Sequence, residues 1–146
     1  MPLVTPIGWI AAQQKAARTA RWAVTLVKKR ITEAVSRTKW QLVTFCGESG
    51  AESVGIVDLM AIRKDHRVVS GCGKRGDNFE IILIQIKGGS APMPTDEDLE
   101  RLRAVKRRYH ARDVLLGSWL KGGAPKIRRL KSDGWEELGD IDDAFR

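Results

Sequence analysis

The sequence predicts an α/β fold. Three observations carry that expectation: a long stretch with helical apolar spacing at the start, two strongly apolar strand-like runs in the middle, and a well-signalled helix directly after the second run. At 146 residues the chain has the length of about one domain. Hydrophobic residues make up 42% and charged residues 30%, so an ordinary packed core is available and a disordered composition is excluded.

Residues 8–38 read as one long basic helix. Ala20, Val24, Val27, Ile31 and Val35 recur at helical spacing and form an apolar stripe. Lys28 and Lys29 lie off it. The stretch is Arg-rich and acid-poor, as transit peptides are. Trp9, Trp22 and Trp40 nevertheless read as packing residues, which favours a folded helix.

Residues 41–46 (QLVTFC) form a short β-rich run, broken by the polar loop 47–53. Residues 54–62 (VGIVDLMAI) are apolar on both alternating faces apart from one acid, the pattern of a buried central strand. Residues 63–78 are charged and Gly-rich and read as an exposed connection. Residues 79–87 (FEIILIQIK) make the strongest strand. After a loop containing Pro92 and Pro94, Thr95 and Asp98 have the spacing of a capping box. The helix they open runs to about residue 110, with Leu99, Leu102, Val105 and Tyr109 as its core stripe. Residues 113–120 read as another strand, and 125–131 (PKIRRLK) as a more polar one suited to a sheet edge. The acidic tail 133–146 reads as loosely attached. The order is α-β-β-β-α-β with one or two extra strands. No linker divides residues 1–146, and the core falls in 41–120.

Charge narrows the partners. The net charge is +8, with 26 Lys plus Arg against 18 Asp plus Glu. Residues 1–40 hold eight basic residues and one acid, Glu33, whereas the last fifteen residues hold six acids. A basic surface of this kind favours a polyanion, most often nucleic acid, and is also compatible with a merely solvated face. No apolar run is long enough for a spanning helix, and the first 30 residues lack the uninterrupted apolar stretch of a secretory signal. Cys46 and Cys72 have neither a disulfide framework nor zinc-finger spacing, so reduced thiols in a cytoplasmic protein are expected. There is no helix-turn-helix or zinc finger to read bases.

Asp58 lies inside an apolar run, where a carboxylate is costly without a use. Gln85 and Lys87 stand two residues apart on the next strong strand and share a face. If these strands are neighbours, an acid, an amide and an ammonium converge at one edge of the sheet. That set suits a hard divalent ion: Asp58 and Gln85 supply oxygens, and the Ile86 backbone carbonyl adds a third. Lys87 would assist the attacking water or neutralise phosphate charge. A buried Asp–Lys ion pair beside a hydrogen-bonded Gln explains the same residues without chemistry.

GIVDLMAI, a charged connection and then IILIQIKGG resemble the core of the PD-(D/E)XK nuclease superfamily, in particular small Holliday junction resolvase-like domains. The resemblance covers roughly residues 30–117. It implies a restriction-endonuclease-like fold, with a mixed central sheet flanked by helices. It also implies Mg²⁺ (or Mn²⁺), DNA as substrate, and roles for Asp58 as the metal-binding Asp and Lys87 as the motif Lys. Gln85 stands where the family has an acid, and Val57 where it has the Pro. Many members place a further Glu on the first helix, a role open here to Glu33. On a helical wheel Glu33 falls away from the apolar stripe. Glu48 or Glu52, in the loop before Asp58, are the alternatives for the missing acid.

Three function classes follow. One is a metal-dependent nuclease acting on DNA phosphodiesters, with RNA not excluded as a substrate. Another is a nucleic-acid-binding module with a degenerate site. The third is an interaction protein whose basic surface meets an acidic partner. Lys28, Lys29, Arg101, Arg107 and Arg108 are the candidate phosphate contacts in the first two. A homodimer is expected if both strands of a duplex are to be cut. Gly88-Gly89 suits either a close phosphate approach or a strand end. His66 and His110 read as surface residues, and the five Trp as core residues rather than base-stacking ones.

Overall fold

The computed structural model describes residues 6–45, 55–67, 73–88, 92–120 and 122–146. Cys46, Cys72, Glu48, Glu52 and Gly89 lie outside the described residues, as does the end of the run expected at 41–46.

The elements are α1 (Pro6–Val35), β1 (Gln41–Thr44), β2 (Leu59–Asp65), β3 (Asn78–Gly88), α2 (Asp96–Arg108), β4 (Asp113–Trp119), β5 (Lys126–Lys131), β6 (Gly134–Leu138) and a 3₁₀ turn (Ile141–Phe145). The strands form one mixed sheet in the order β1-β2-β3-β4-β5-β6. Only β3 and β4 pair in parallel, which requires the crossover that α2 supplies; every other pairing is antiparallel. The expected α-β-β-β-α-β order is present, followed by two more strands.

β3 is the spine of this sheet. Ile82, Ile84 and Ile86 pack on one face with Val27, Ile31, Ala34 and Val35 of α1. Ile81 and Leu83 pack on the other face with Leu99, Leu102 and Val105 of α2. Gly117 of β4 sits directly beneath α1, where an added Cβ would collide with Val27. The capping box forms as expected: the Thr95 hydroxyl accepts from the Asp98 N–H, and the Asp98 carboxylate accepts from the Thr95 N–H. Tyr109, expected in the core stripe of α2, is instead its exposed C-cap.

Four further expectations are corrected. α1 spans about 45 Å, but its described buried side chains begin at Ala23, and Trp9 and Trp22 are exposed. Of the three Trp expected to pack, only Trp40 is buried. β2 lies at 59–65 rather than 54–62. Its charged end is stabilised by Arg63 against Glu80 of β3, an ion pair at 2.6 Å, while Ile56 and Val57 pack on the α2 side ahead of the strand. β5 is not an edge, because β6 pairs with it. The tail is not loose. Asp140 and Asp142 lie against Arg30 (3.8 Å each), and Asp142 also meets Arg37 of the basic helix end (2.9 Å). The 3₁₀ turn drives Phe145 into the α1-side core, edge-on to Trp40 at 6.2 Å. Trp40 Nε1 donates to the Phe145 carbonyl at 2.7 Å, and Arg63 and Arg112 donate to that of Arg146. Among the described residues no helix is long and apolar enough to cross a membrane.

Phe145→Ala is expected to cost about 3–5 kcal/mol, as for a fully buried aromatic, read as a lower urea midpoint at unchanged slope. A tail that merely rests on the surface would leave the midpoint where it is.

Candidate functional site

The register of the sheet places the sequence-selected residues. Leu59 pairs with Ile84, so Asp58, one step before β2, stands opposite Gln85. Asp58 continues the ladder beyond the strand: its N–H donates to the Ile84 carbonyl at 2.9 Å. Its carboxylate Oδ2 accepts the Ile86 N–H at 2.7 Å. The side chain is therefore held by the backbone of the strand that carries Gln85 and Lys87. Strand alternation puts Asp58, Gln85 and Lys87 on the α2-facing side of the sheet, at the C-terminal end of β3. Asp58 is thus at a strand end, where the sheet opens, and not mid-strand as its sequence setting suggests.

Gln85 is 5% exposed, and its Oε1 has no hydrogen-bond partner among the described residues. A buried orphan acceptor costs about 1–3 kcal/mol. The donors at hand are hard oxygens, a carboxylate and an amide carbonyl, the chemistry that fits Mg²⁺ or Mn²⁺. The cluster holds a single carboxylate, and no group of three His, Cys, Asp or Glu suited to a metal occurs among the described residues. Lys87 is half-buried at the rim.

Sequence reasoning missed two neighbours. Ser118 of β4 stands opposite Lys87, and Arg128 of β5 reaches it, donating from Nη1 to Ser118 Oγ at 3.2 Å. Alternation along KIRRLK sets Arg128 on the same face as Leu130, which packs on the α2 side; the signal was present but read as edge polarity.

Other candidates are not gathered there. Glu33 is exposed on α1, which packs on the opposite sheet face. Val27 meets Gly117, level with Ile86, so Glu33 lies further along the helix, away from Asp58. Lys28 and Lys29 share that layer. Arg101, Arg107 and Arg108 are exposed on α2, across the sheet. The two sets of cations therefore do not form one surface. Arg107 and His110 line a basic concavity of about 1000 Å³ between α2 and the β4–β5 strands.

A second concavity, of about 710 Å³, lies at the far end of β2 and β3 and includes Lys39, Lys64, His66 and Phe79. Both acids on its wall are taken. Glu80 meets Arg63 and Arg112. The Arg67 side chain grips Asp65 with Nε at 2.9 Å and Nη2 at 2.7 Å, and its backbone N–H adds a third bond at 2.9 Å. These bonds hold the Asp65 carboxyl at about 2, down from its ordinary 3.8, and raise Arg67 in turn. Lys39, at the rim, has φ 62°, a left-handed conformation that costs a non-glycine residue roughly 1–2 kcal/mol.

No protein-family profile and no curated protein sequence matches the chain. Among solved structures, Hjc, a Holliday junction resolvase from the archaeal hyperthermophile Archaeoglobus fulgidus, aligns over 83% of this chain and 92% of its own. The alignment has 12% identity and a TM-score of 0.42.

Gln85→Leu is expected to raise stability by about 1–2 kcal/mol by removing the orphan acceptor; a Gln with a purely structural role would instead give a loss on denaturation. Arg67→Ala is expected to lower stability at neutral pH. Because the Asp65 pKa is depressed in the folded state, that difference is complete above about pH 4 and shrinks as pH falls through about 2. Paired denaturation curves across that range check it.

Proposed function

We propose that the protein is a metal-dependent nuclease that hydrolyses DNA phosphodiesters. The observation that carries this reading is the buried Gln85 Oε1, without a partner among the described residues, opposite a carboxylate that the backbone fixes in place. In this reading Asp58 and Gln85 hold Mg²⁺ or Mn²⁺, with the Ile86 carbonyl as a further oxygen. The ion, when bound, supplies Lewis-acid activation of the phosphate and of the attacking water.

The chain's own groups do the rest. The Ile86 N–H orients the Asp58 carboxylate, so no side-chain entropy is lost in aligning it. Lys87 places a positive charge at the scissile phosphate and orients the water. Arg128, on the same face two strands away, adds a second cation that a phosphate can use. Arg101, Arg107 and Arg108 on α2, apart from the cluster, add salt-sensitive backbone contacts.

A second reading has one observation in its favour. With a single carboxylate in the cluster among the described residues, the same fold can serve as a nucleic-acid-binding module without cleavage.

The test is cleavage of labelled duplex, single-stranded and four-way-junction DNA with Mg²⁺, Mn²⁺ or EDTA. Asp58→Ala and Lys87→Ala are each expected to lower the metal-dependent rate by about 100-fold or more, with the urea midpoint of Lys87→Ala unchanged. Metal-dependent cleavage retained in both variants removes the nuclease reading. A salt-sensitive gel shift equal in wild type and variants, without products, selects the binding module.

A further inference from the structure

α2 covers only part of its sheet face. The rest, built from β1, β2 and the start of β3, keeps large apolar side chains in solvent. Phe45 follows β1 and pairs with Asp58 through its N–H to the Asp58 carbonyl, so its ring lies on the same face as the candidate site; it is 37% exposed. Val43 comes next, opposite Met60. At the far end Phe79 is 57% exposed and stands directly opposite Lys64. Phe79 and Gln85 are six residues apart on β3, a span of about 20 Å.

Asp65 and Glu80 alternate onto the opposite, α1-facing side of the sheet, where arginines hold both. Lys39 and Lys64 have no ion-pair partner among the described residues. Lys39 also occupies a backbone conformation that glycine would adopt without strain, and it does so at the rim of the concavity that contains Phe79. Exposed rings at the two ends of one sheet face, Phe79 beside the Lys64 ammonium and Phe45 beside the candidate site, match one ligand chemistry. Unpaired bases stack on the rings, and the phosphates between them meet the cations. A duplex hides its base faces and cannot use Phe45 or Phe79 in this way.

We propose that this uncovered half of the sheet face is a stacking platform for single-stranded nucleic acid, running from Phe79 and Lys64 to Phe45 beside Asp58. Its destination rests on the nuclease reading, for which it names a single-stranded substrate segment; the platform itself does not.

The experiment is fluorescence anisotropy, in EDTA, with a labelled oligothymidylate of about 12 nucleotides, within the ~4–16 footprint of single-strand binders. The matching blunt duplex and an oligouridylate are run alongside. Phe79→Ala is expected to weaken single-strand binding by about 5- to 150-fold and duplex binding by less than about 2-fold. Phe79→Leu, which keeps the apolar area without the ring, is expected to lose most of the same affinity. Lys39→Gly together with Lys64→Gln is expected to reduce the log–log salt slope by about 1.4. Lys39→Gly alone is expected to raise the Tm while weakening binding, a pairing that a merely structural lysine would not give.

Single-strand affinity unchanged in Phe79→Ala overturns the proposal. So does an equal loss on the duplex. So does a wild-type dimer that Phe79→Ala dissociates without any change in oligonucleotide affinity, since the face would then pair two copies of the chain. The same loss on oligouridylate as on oligothymidylate supports the platform and shows that the sugar is not read. Because EDTA removes metal chemistry, these outcomes are independent of whether Asp58→Ala and Lys87→Ala abolish cleavage.

Discussion

Between Ile82 and Ile86, β3 has no exposed face, and the remaining elements are placed by the need to cover it. One side takes the α1 stripe and the C-terminal 3₁₀ turn. The other takes α2. A strand in that position must be apolar almost throughout, because each polar group it buries loses water on every side. Gln85 breaks the rule at the C-terminal end of β3, where Asp58 leaves the ladder of β2. The cost of an unpaired acceptor thus falls where Asp58 and Gln85 present oxygen atoms to each other and the sheet opens. That coincidence of burial, unmet hydrogen bonding and a backbone-held carboxylate is what separates this cluster from the other charged groups, nearly all of which have ion-pair partners or lie in water.

Much of this was legible in the sequence. The run FEIILIQIK was readable directly as the strongest strand, with Glu80, Gln85 and Lys87 as its polar members. Thr95 and Asp98 fixed the start of α2 because a capping box depends on local spacing alone. The pairing of Asp58 with Gln85 followed once the two strands were taken as neighbours. Long-range effects were not legible. β2 slides towards its charged end because Arg63 finds Glu80 across the ladder, a partner that no local pattern reveals. Trp9 and Trp22 have the composition of core residues, yet they lie at exposed positions of α1.

The acidic tail is the clearest case of a local reading overruled. Asp140 and Asp142 look like solvated charges until they meet Arg30 and Arg37, the basic end of a helix more than a hundred residues earlier. With that charge matched, Ile141, Ala144 and Phe145 are free to enter the core. The opposite charge biases of the two chain ends, visible in the composition, are therefore an intramolecular complement as well as a source of net positive surface.

The contact between Trp40 and Phe145 also bears on how the chain reaches this state. The two residues are 105 positions apart, and the α1-side core stays open until both are in place. Closing so long a loop is slow relative to the helix and hairpin steps that precede it. During synthesis, β1 to β4 emerge and pair while one face of β3 still lacks its last cover. The chain therefore passes through an interval in which a mostly formed sheet shows isoleucines to water, and the rate at which Ile141–Phe145 dock sets how long that interval lasts.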